Sequence, residues 1–287
     1  MKFGIVYSNT GPFTRPEGAV SLARAAEKTG FESLWTVEHV VVPTGYESPY
    51  PYSRNGRMPG GEVSDIPDPL VWLTWVAAST STIKLATGIL ILPQRNPVIL
   101  AKEVATLDVL SGGRVILGVG VGWLKEEFDA LGISFSQRGA RTDEYIGALR
   151  ALWGEAEPTF NGRFVNFEKA NCNPKPPRGA DVPIVIGGHS PQAARRAGRL
   201  GDGFFPARIK PAELTVLLDE MRTAARDEGR DPDAIEVTCG GALDVDGAKE
   251  FADLGVDRLV VHPYMFDMGD LERSLGEFSD RVVAPLA

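Results

Sequence analysis

The sequence is poor in cysteine and histidine and has no long apolar run. Only Cys172 and Cys239 occur among its 287 residues, too few for a disulfide framework or a cysteine-rich metal site, so both are expected to be reduced thiols. No stretch approaches the ~20 apolar residues that a membrane-spanning helix requires. The opening residues MKFGIVY alternate like a β-strand and do not resemble an export signal. These absences predict a cytoplasmic protein that does not bind membranes.

Basic residues are also fewer than acidic ones. Lysine and arginine number 30 against 38 aspartates and glutamates, which gives a net charge of -8. Such a chain offers no overall electrostatic attraction to phosphate backbones, so we expect no nucleic-acid partner. Its 43% of apolar residues is ample for a core. The composition therefore favours a globular protein that acts on a small-molecule substrate.

Short runs of β-branched and apolar residues alternate with segments of helical periodicity along the chain. This alternation is typical of parallel β/α units, and 287 residues is close to the ~250 of an eight-fold β/α barrel. We therefore predict an α/β protein, a (β/α)8 TIM barrel with insertions, in one domain over residues 1–287. The eight predicted strands cover residues 2–7, 33–37, 84–90, 114–119, 183–187, 203–206, 235–239 and 258–262.

Two segments interrupt this rhythm and are predicted to be insertions. Residues 40–69 are rich in proline and glycine and much longer than the usual connection between a strand and its helix. Their tyrosines, Tyr46, Tyr50 and Tyr52, suit a lid over a ligand, and a solvated or dimer-contact loop is an equal alternative. Residues 158–177 contain Asn161-Gly162 between apolar runs, which predicts a hairpin with a two-residue turn and no chemistry.

All three histidines follow predicted strands. His39, His189 and His262 lie at or just beyond the carboxyl ends of three of them. In β/α barrels these ends converge on one face, which carries the active site. Three histidines do not supply the paired motifs of zinc hydrolases, so a metal-dependent hydrolase is a weak alternative and no metal ligand is predicted. The role of His262 stays open.

Glu38 and His39 form the first candidate pair at this face. A carboxylate and an imidazole at a strand tip can bind the polar edge of a ligand or transfer a proton near neutral pH. The alternative is a histidine without a catalytic role, whose ring is hydrogen-bonded to its neighbours or exposed to solvent. We predict that this pair is catalytic.

Glycines at three strand ends form the second candidate feature. Gly88 falls late in an apolar strand, where it suits either a simple bulge or the close approach of a flat ligand. Residues 118–123 read GVGVGW and do not match the GxGxxG dinucleotide fingerprint. Gly187, Gly188 and Ser190 precede a helix whose positive end favours a phosphate. A capped helix without a ligand is the alternative.

Long stretches of this sequence resemble the luciferase-like monooxygenase superfamily, and in particular its branch that uses the deazaflavin coenzyme F-420. The resemblance rests on SLWTVEHVVVP, on the segment from ATGILILPQRNP to FSQRGARTDE, and on PIVIGGHSPQAARRAGRLGDGFFP. It covers nearly the whole chain. It implies an eight-stranded β/α barrel with insertions that binds a flavin or deazaflavin at the carboxyl ends of its strands.

The resemblance also implies roles for individual residues. The flat ring is expected against the Gly88–Ile89 peptide, which in relatives is a cis bond, with Glu38 and His39 near the ring edge and the substrate. The other cofactor-binding residues are expected on the next wall, at Gly120, Val121, Gly122 and Trp123, and on the phosphate side, at Gly187, Gly188, His189 and Ser190.

Trp123 departs from one branch of the superfamily. In its sugar-phosphate dehydrogenases, a glutamate that donates or accepts a proton occupies the aligned position. An indole does not exchange protons usefully, so activity on glucose phosphates is disfavoured. Acid–base work is then expected of His39 or Glu38.

The expected function is hydride transfer between F-420 and a small organic substrate of unknown identity. An FMN-dependent monooxygenase is the alternative, and a flavin-binding barrel without catalysis is a further one. Superfamily members commonly form homodimers through helices near the second and third strands. Trp72, Trp75 and Val76 on one such helix suit that contact, and packing into the core is the equal alternative.

Overall fold

The computed structural model describes residues 1–207, 209–241 and 244–286. Within this part of the chain, nine parallel strands form one sheet and two antiparallel strands form a separate hairpin. In chain order the strands are β1 (Lys2–Val6), β2 (Ser33–Thr36), β3 (Lys84–Thr87), β4 (Leu90–Ile91), β5 (Val115–Gly120), the hairpin strands β6 (Phe160–Asn161) and β7 (Asn166–Phe167), β8 (Ile184–Gly187), β9 (Gly203–Phe205), β10 (Glu236–Gly240) and β11 (Arg258–Val261).

The parallel sheet closes into a barrel. Its strands follow the order β3-β2-β1-β11-β10-β9-β8-β5, and pairing of β3 with β5 joins the two edges. Strand β4 also pairs with β5, further along the chain, so β3 and β4 are two parts of one of the eight barrel strands. The predicted (β/α)8 TIM barrel is confirmed.

The third barrel strand differs from the continuous run predicted over residues 84–90. It is interrupted after Thr87, where the Gly88–Ile89 peptide bond is cis. The N–H of Gly88 donates to the carbonyl of Thr36 at 2.6 Å, and pairing with β5 resumes at Leu90. The interruption leaves the Gly88–Ile89 peptide where the barrel strands end.

The described residues form nine α-helices, and several begin at a proline behind a side-chain cap. In the helix over Pro97–Ser111, Asn96 accepts hydrogen bonds from the N–H groups of Val98 and Ile99, and Gly112 ends the helix with a left-handed φ of 69°. The helices are α1 (Pro16–Lys28), α2 (Pro69–Ala77), α3 (Pro97–Ser111), α4 (Lys125–Ala130), α5 (Arg138–Gly154), α6 (Pro191–Leu200), α7 (Pro211–Asp227), α8 (Val245–Asp253) and α9 (Leu271–Phe278).

The barrel interior is a packed core. Trp35 is fully buried there and lies edge-on to Phe205, with ring centroids 5.4 Å apart. Arg258 lies over the Trp35 ring and pairs with Glu32 and Glu236. Because these charged residues come from the beginnings of β2, β10 and β11, they close that end of the barrel. The opposite end, where the strands finish, is the mouth.

The two insertions differ in structure. Residues 158–177 contain the β6–β7 hairpin, but residues 162–165 join its strands and the predicted two-residue turn at Asn161-Gly162 is wrong. The longer loop forms because the Glu144 carboxylate accepts hydrogen bonds from the N–H groups of residues 163–165. Residues 40–68, called the lid below, contain neither helix nor strand.

Helix α2 buries much of its apolar surface. Trp72 and Val76 are buried, and Nε1 of Trp72 donates to the carbonyl of Phe13 at 2.7 Å, whereas Trp75 is 55% exposed. Core packing therefore accounts for Trp72 and Val76. Pairing of two chains through Trp75 stays a prediction.

Both cysteines are buried free thiols. Burial raises the pKa of Cys239 to about 12, so this thiol stays protonated and unreactive near neutral pH. Among the helices of the described residues, none combines the length and the apolar character needed to cross a membrane.

Candidate active site

The loops after the barrel strands bring the three histidines to the mouth. His39 follows β2, His189 follows β8 and His262 directly follows β11. Since these strands are parallel members of one closed sheet, their carboxyl ends lie around the same opening. The side chains that contact the histidines come from the lid, from the β5–α4 turn, from helix α4, from the end of β1 and from the segment after β11.

His39 is held by a buried carboxylate. Its Nδ1 lies 3.0 Å from Oε2 of Glu127, and the two side chains are 9% and 0% exposed. The other oxygen of Glu127, Oε1, accepts hydrogen bonds from the N–H groups of Val40 and Val41 at 2.6 and 3.3 Å. An ionised carboxylate at this distance would accept a hydrogen bond from a protonated Nδ1. Its Nε2 is then the nitrogen that is left for a ligand.

Glu38 binds different partners. Its buried carboxylate accepts hydrogen bonds from Arg95, whose Nε lies 2.9 Å from Oε1, and from the N–H of Ile91. Arg95 also pairs with Asp68 at 2.6 Å, and Asp68 caps helix α2. This network ties the segment after β4 to the end of the lid. The structure thus places the Glu38 carboxylate in the wall of the site, and its catalytic role stays a prediction.

Ile89 forms a platform at the mouth, flanked by glycines of two neighbouring strands. A Cβ at Gly120 would lie 2.7 Å from Cδ1 of Ile89, and a Cβ at Gly187 would lie 2.4 Å from its Cγ2. Real Cβ atoms do not approach that closely, so the side chain of Ile89 lies where it does because both positions are glycine. Ile89 is only partly buried. The result is a small, partly exposed apolar surface at the mouth.

Trp123 lies among aromatic rings from the lid and from the loop after β2. Its ring is edge-on to His39 at 5.6 Å, to Tyr46 at 5.5 Å and to Tyr50 at 5.2 Å between centroids. Gly122 has a left-handed φ of 78°, which turns the chain from β5 towards α4 and places Trp123 at this position. The indole therefore forms an apolar wall beside His39.

Two lid tyrosines reach across the mouth. The hydroxyls of Tyr50 and Tyr7 face each other after the end of β1, and burial raises the pKa of both phenols above the ordinary value. Tyr52 packs on His189 with ring centroids 4.7 Å apart, and Tyr7 stacks on His262 at 4.3 Å. The lid thus extends from the side of His39 to the side of His189, and burial favours the uncharged form of Tyr50 and Tyr52 by raising their pKa values.

Helix α4 also anchors the middle of the lid. Oε1 of Glu126 accepts hydrogen bonds from the N–H groups of Glu47 and Ser48 at 2.8 and 3.1 Å. The Ser48 hydroxyl and these N–H groups lower the pKa of Glu126 to about 2, so its carboxylate is ionised near neutral pH. Glu126 and Glu127 therefore hold two separate stretches of the lid backbone.

The loop after β8 presents a helix N-terminus. Gly188 has a left-handed φ of 124°, and Ser190 caps α6 by accepting a hydrogen bond from the N–H of Ala193 at 3.2 Å. His189 and Ser190 are exposed. This arrangement suits a phosphate, because N–H groups and the helix dipole both favour an anion there. The arginines of α6 are engaged in ion pairs, Arg195 with Glu220, and Arg196 and Arg199 with Asp143.

Three residues of the site went unrecognised in the sequence: Glu127, Arg95 and Tyr7. Glu127 lies 88 positions beyond His39, and a glutamate in a short polar helix is ordinarily a surface residue, so only its complete burial reveals it. Arg95 lies in an irregular segment, and its partner Glu38 precedes it by 57 residues. Over the residues that the structure describes, no group of three or more histidines, cysteines or carboxylates is placed to hold a metal ion.

A closed barrel of parallel strands with a histidine–carboxylate pair at its mouth has the architecture of an enzyme. The family model of the luciferase-like monooxygenases matches residues 1–265. The chain belongs to this family and is an enzyme of the oxidoreductase class.

The chain is similar to one curated dehydrogenase and to two solved structures. The F-420-dependent glucose-6-phosphate dehydrogenase of Kineococcus radiotolerans is 33% identical over 229 residues, which are 78% of this chain and 62% of that protein. An F-420-dependent secondary alcohol dehydrogenase, solved with an F-420–acetone adduct, superposes with a TM-score of 0.79 at 21% identity over 99% of this chain and 98% of that one. The monooxygenase RslO1 from Streptomyces bottropensis superposes with a TM-score of 0.77 at 24% identity over 100% of both chains. The two solved structures show a shared fold.

Proposed function

We propose that the protein is a coenzyme F-420-dependent oxidoreductase that transfers a hydride between the deazaflavin and a small organic substrate. The observation that carries the proposal is the pairing of two features at one mouth. Ile89 offers a flat-ring platform between two glycines, and His39, held by Glu127, offers one free ring nitrogen. The similarity to an F-420-dependent dehydrogenase at 33% identity supports the choice of cofactor.

The residues at the mouth fit such a cofactor. Ile89 and the bare backbone of Gly88 suit an apolar ring face, since no Cβ stands beside the platform at positions 120 and 187. The wall of the ring site is assigned to Gly120, Val121, Gly122 and Trp123, and the phosphate side to Gly187, Gly188, His189 and Ser190. When bound, the deazaflavin supplies a ring carbon that accepts or gives a hydride.

His39 is assigned the proton transfer that accompanies oxidation or reduction of the substrate. Its Nε2 takes a proton from a substrate hydroxyl, or returns one to a carbonyl oxygen, while Nδ1 stays bonded to Glu127. Glu38 is assigned the support of the ring wall, because its oxygens are bound by Arg95 and by the N–H of Ile91.

The lid is assigned the exclusion of water. Tyr50, Tyr52 and Trp123 form an aromatic cover, and the contact of Tyr50 with Tyr7 joins this cover to the end of β1. A hydride donor and a polarised substrate react best in a site from which bulk water is removed. Residues of the lid thus contribute the cover of the site.

An FMN-dependent monooxygenase is the second candidate, supported by the shared fold with RslO1. The two candidates differ in how the reduced cofactor behaves towards oxygen, because F-420 lacks the oxygen reactivity of a reduced flavin. The first test is a titration of the full chain with F-420 and with FMN, monitored by quenching of Trp fluorescence. The second measures oxygen consumption in the presence of each reduced cofactor. We expect saturable quenching by F-420 and no oxygen uptake.

Tighter binding of FMN, with oxygen uptake, would instead support the monooxygenase. The His39→Gln variant separates catalysis from simple binding of the cofactor. We expect it to bind F-420 like the parent and to lose at least about 100-fold in turnover of any alcohol or carbonyl compound that the parent accepts, which is a typical loss for a general acid–base group. Equal turnover by parent and variant would favour a barrel that binds the cofactor without using His39.

A further inference from the structure

The carboxylate of Glu127 divides its two oxygens between two tasks. Oε2 lies 3.0 Å from Nδ1 of His39, whereas Oε1 accepts the N–H groups of Val40 and Val41, the first residues of the lid. The side chain is completely buried, so no water competes for either oxygen. One group therefore joins the histidine to the start of the lid.

We infer that Glu127 is a positioning residue that fixes the tautomer of His39 and couples the histidine to the lid. A neutral imidazole carries its proton on one nitrogen, and the partner of the other nitrogen decides which one. An ionised carboxylate opposite Nδ1 admits only the form with the proton on Nδ1. The lone pair on Nε2 is then left for a ligand. The consequence for catalysis rests on the proposed function, but the tautomer itself does not.

Glu126 provides a matched comparison on the same helix. Its Oε1 also accepts two lid N–H groups, those of Glu47 and Ser48, but Glu126 makes no hydrogen bond to His39. The two consecutive glutamates thus share the task of anchoring the lid. Only Glu127 adds the contact with the histidine. A change that acts through the lid alone should therefore follow from either residue, and a change of tautomer only from Glu127.

The Glu127→Gln variant tests the inference without altering the shape of the side chain. The amide oxygen is expected to stay on the two lid N–H groups, because only an oxygen can accept them. The amide nitrogen then faces Nδ1 of His39 as a donor, so Nδ1 must accept and the proton moves to Nε2. The variant is expected to retain the lid anchor and reverse the tautomer.

The readout is a long-range proton–nitrogen correlation spectrum of the full chain, labelled with ¹⁵N-histidine and recorded without cofactor above pH 8. The chain has three histidines, so a His39→Gln spectrum assigns the signal of interest. We expect a protonated Nδ1 in the parent and in Glu126→Gln, and a protonated Nε2 in Glu127→Gln. A parent signal with the proton on Nε2, or an unchanged tautomer in a folded Glu127→Gln, would overturn the inference.

The parent spectrum keeps the test decisive even if the Glu127→Gln variant does not fold. Turnover gives a second readout where a substrate is found. Glu127→Gln is expected to lower kcat by about 100-fold or more with little change in F-420 affinity, the range for loss of a general acid–base contribution. Failure of both F-420 and FMN to bind would contradict the proposed function and leave the tautomer result standing. Binding of F-420, together with a tautomer of His39 that does not depend on Glu127, would contradict only the inference about Glu127.

Discussion

Gly187 lies so close to Ile89 that a Cβ at position 187 would be 2.4 Å from Cγ2 of the isoleucine. On the other side, Gly120 approaches Cδ1 of the same side chain. The two glycines therefore act through Ile89: they leave the space that this side chain fills at the mouth of the barrel. Glycine at these positions sets the shape of the platform before any ligand arrives.

Substitution of Gly187 by alanine should displace Ile89 and distort the platform. We expect Gly187→Ala to bind F-420 at least about tenfold more weakly than the parent, a loss of ~1.4 kcal/mol, measured by fluorescence quenching. Gly276→Ala is the control, because Gly276 lies in helix α9 and a Cβ there meets only Thr29 at 3.8 Å. Equal affinities for the parent and Gly187→Ala would show that the platform does not contact the cofactor.

Removal of the charge on Glu38 should destabilise the fold. Glu38→Gln removes one of the carboxylates that pair with Arg95. The side chain of Glu38 is 2% exposed and that of Arg95 is 17% exposed. We expect a loss of about 3 kcal/mol in the free energy of unfolding, the lower end for breaking a buried ion pair, since Asp68 still contacts Arg95. Urea unfolding measures the loss.

The exposed Lys28–Glu272 pair supplies the control for this experiment. Its side chains are 69% and 54% exposed, so Glu272→Gln should cost less than about 1 kcal/mol. A Glu38→Gln variant as stable as the parent, but without turnover, would return Glu38 to the catalytic role predicted from the sequence.

Glu27 should make stability depend on pH in the acid range. Burial alone would raise its pKa, but the N–H groups of Thr82, Ile83 and Ser81 outweigh burial and lower the pKa from 4.5 to about 2. A lowered folded-state pKa stabilises the protein above pH 4.5, and this contribution is lost as the pH falls towards 2. The difference in Tm between the parent and Glu27→Gln should therefore be constant above pH 5 and shrink below pH 4.5. A difference that grows on acidification would contradict this assignment.

The contact between the hydroxyls of Tyr50 and Tyr7 should hold the lid closed. Tyr50→Phe removes the hydroxyl and keeps the ring against Trp123, so we expect lid amides to exchange with deuterium about fivefold faster, as for loss of ~1 kcal/mol. Tyr52→Phe is the matched control, because the ring contact of Tyr52 with His189 does not need the hydroxyl. Equal exchange rates in the Tyr50→Phe and Tyr52→Phe variants would assign closure of the lid to other contacts.

The barrel itself was predictable from the sequence, because parallel strands buried on both faces leave short continuous apolar runs, and these runs alternate with segments of helical periodicity along the chain. The position of Gly88 within its run also marked the place where the third strand breaks. The hairpin turn near Asn161 was not predictable, since its geometry depends on the carboxylate of Glu144, which is distant in sequence. Local turn signals do not include such a partner.

The site was predictable only in part. Glycines and histidines at strand ends could be located by rules of barrel topology, since those rules fix which end of each strand faces the mouth. The partners of Glu38 and His39 could not be located in this way. Although the two residues are adjacent in the chain, Glu38 binds Arg95, 57 positions away, and His39 binds Glu127, 88 positions away. Such pairings are set by the packing of the loops and leave no periodic signal.

A crystal structure of the complex with F-420 tests the central claim most directly. We expect the deazaflavin ring to cover Ile89, its phosphate to lie at the N-terminus of α6, and Nε2 of His39 to face the remaining space beneath the lid. A ring bound elsewhere on the barrel, or a His39 whose Nε2 points away from the ring, would contradict it.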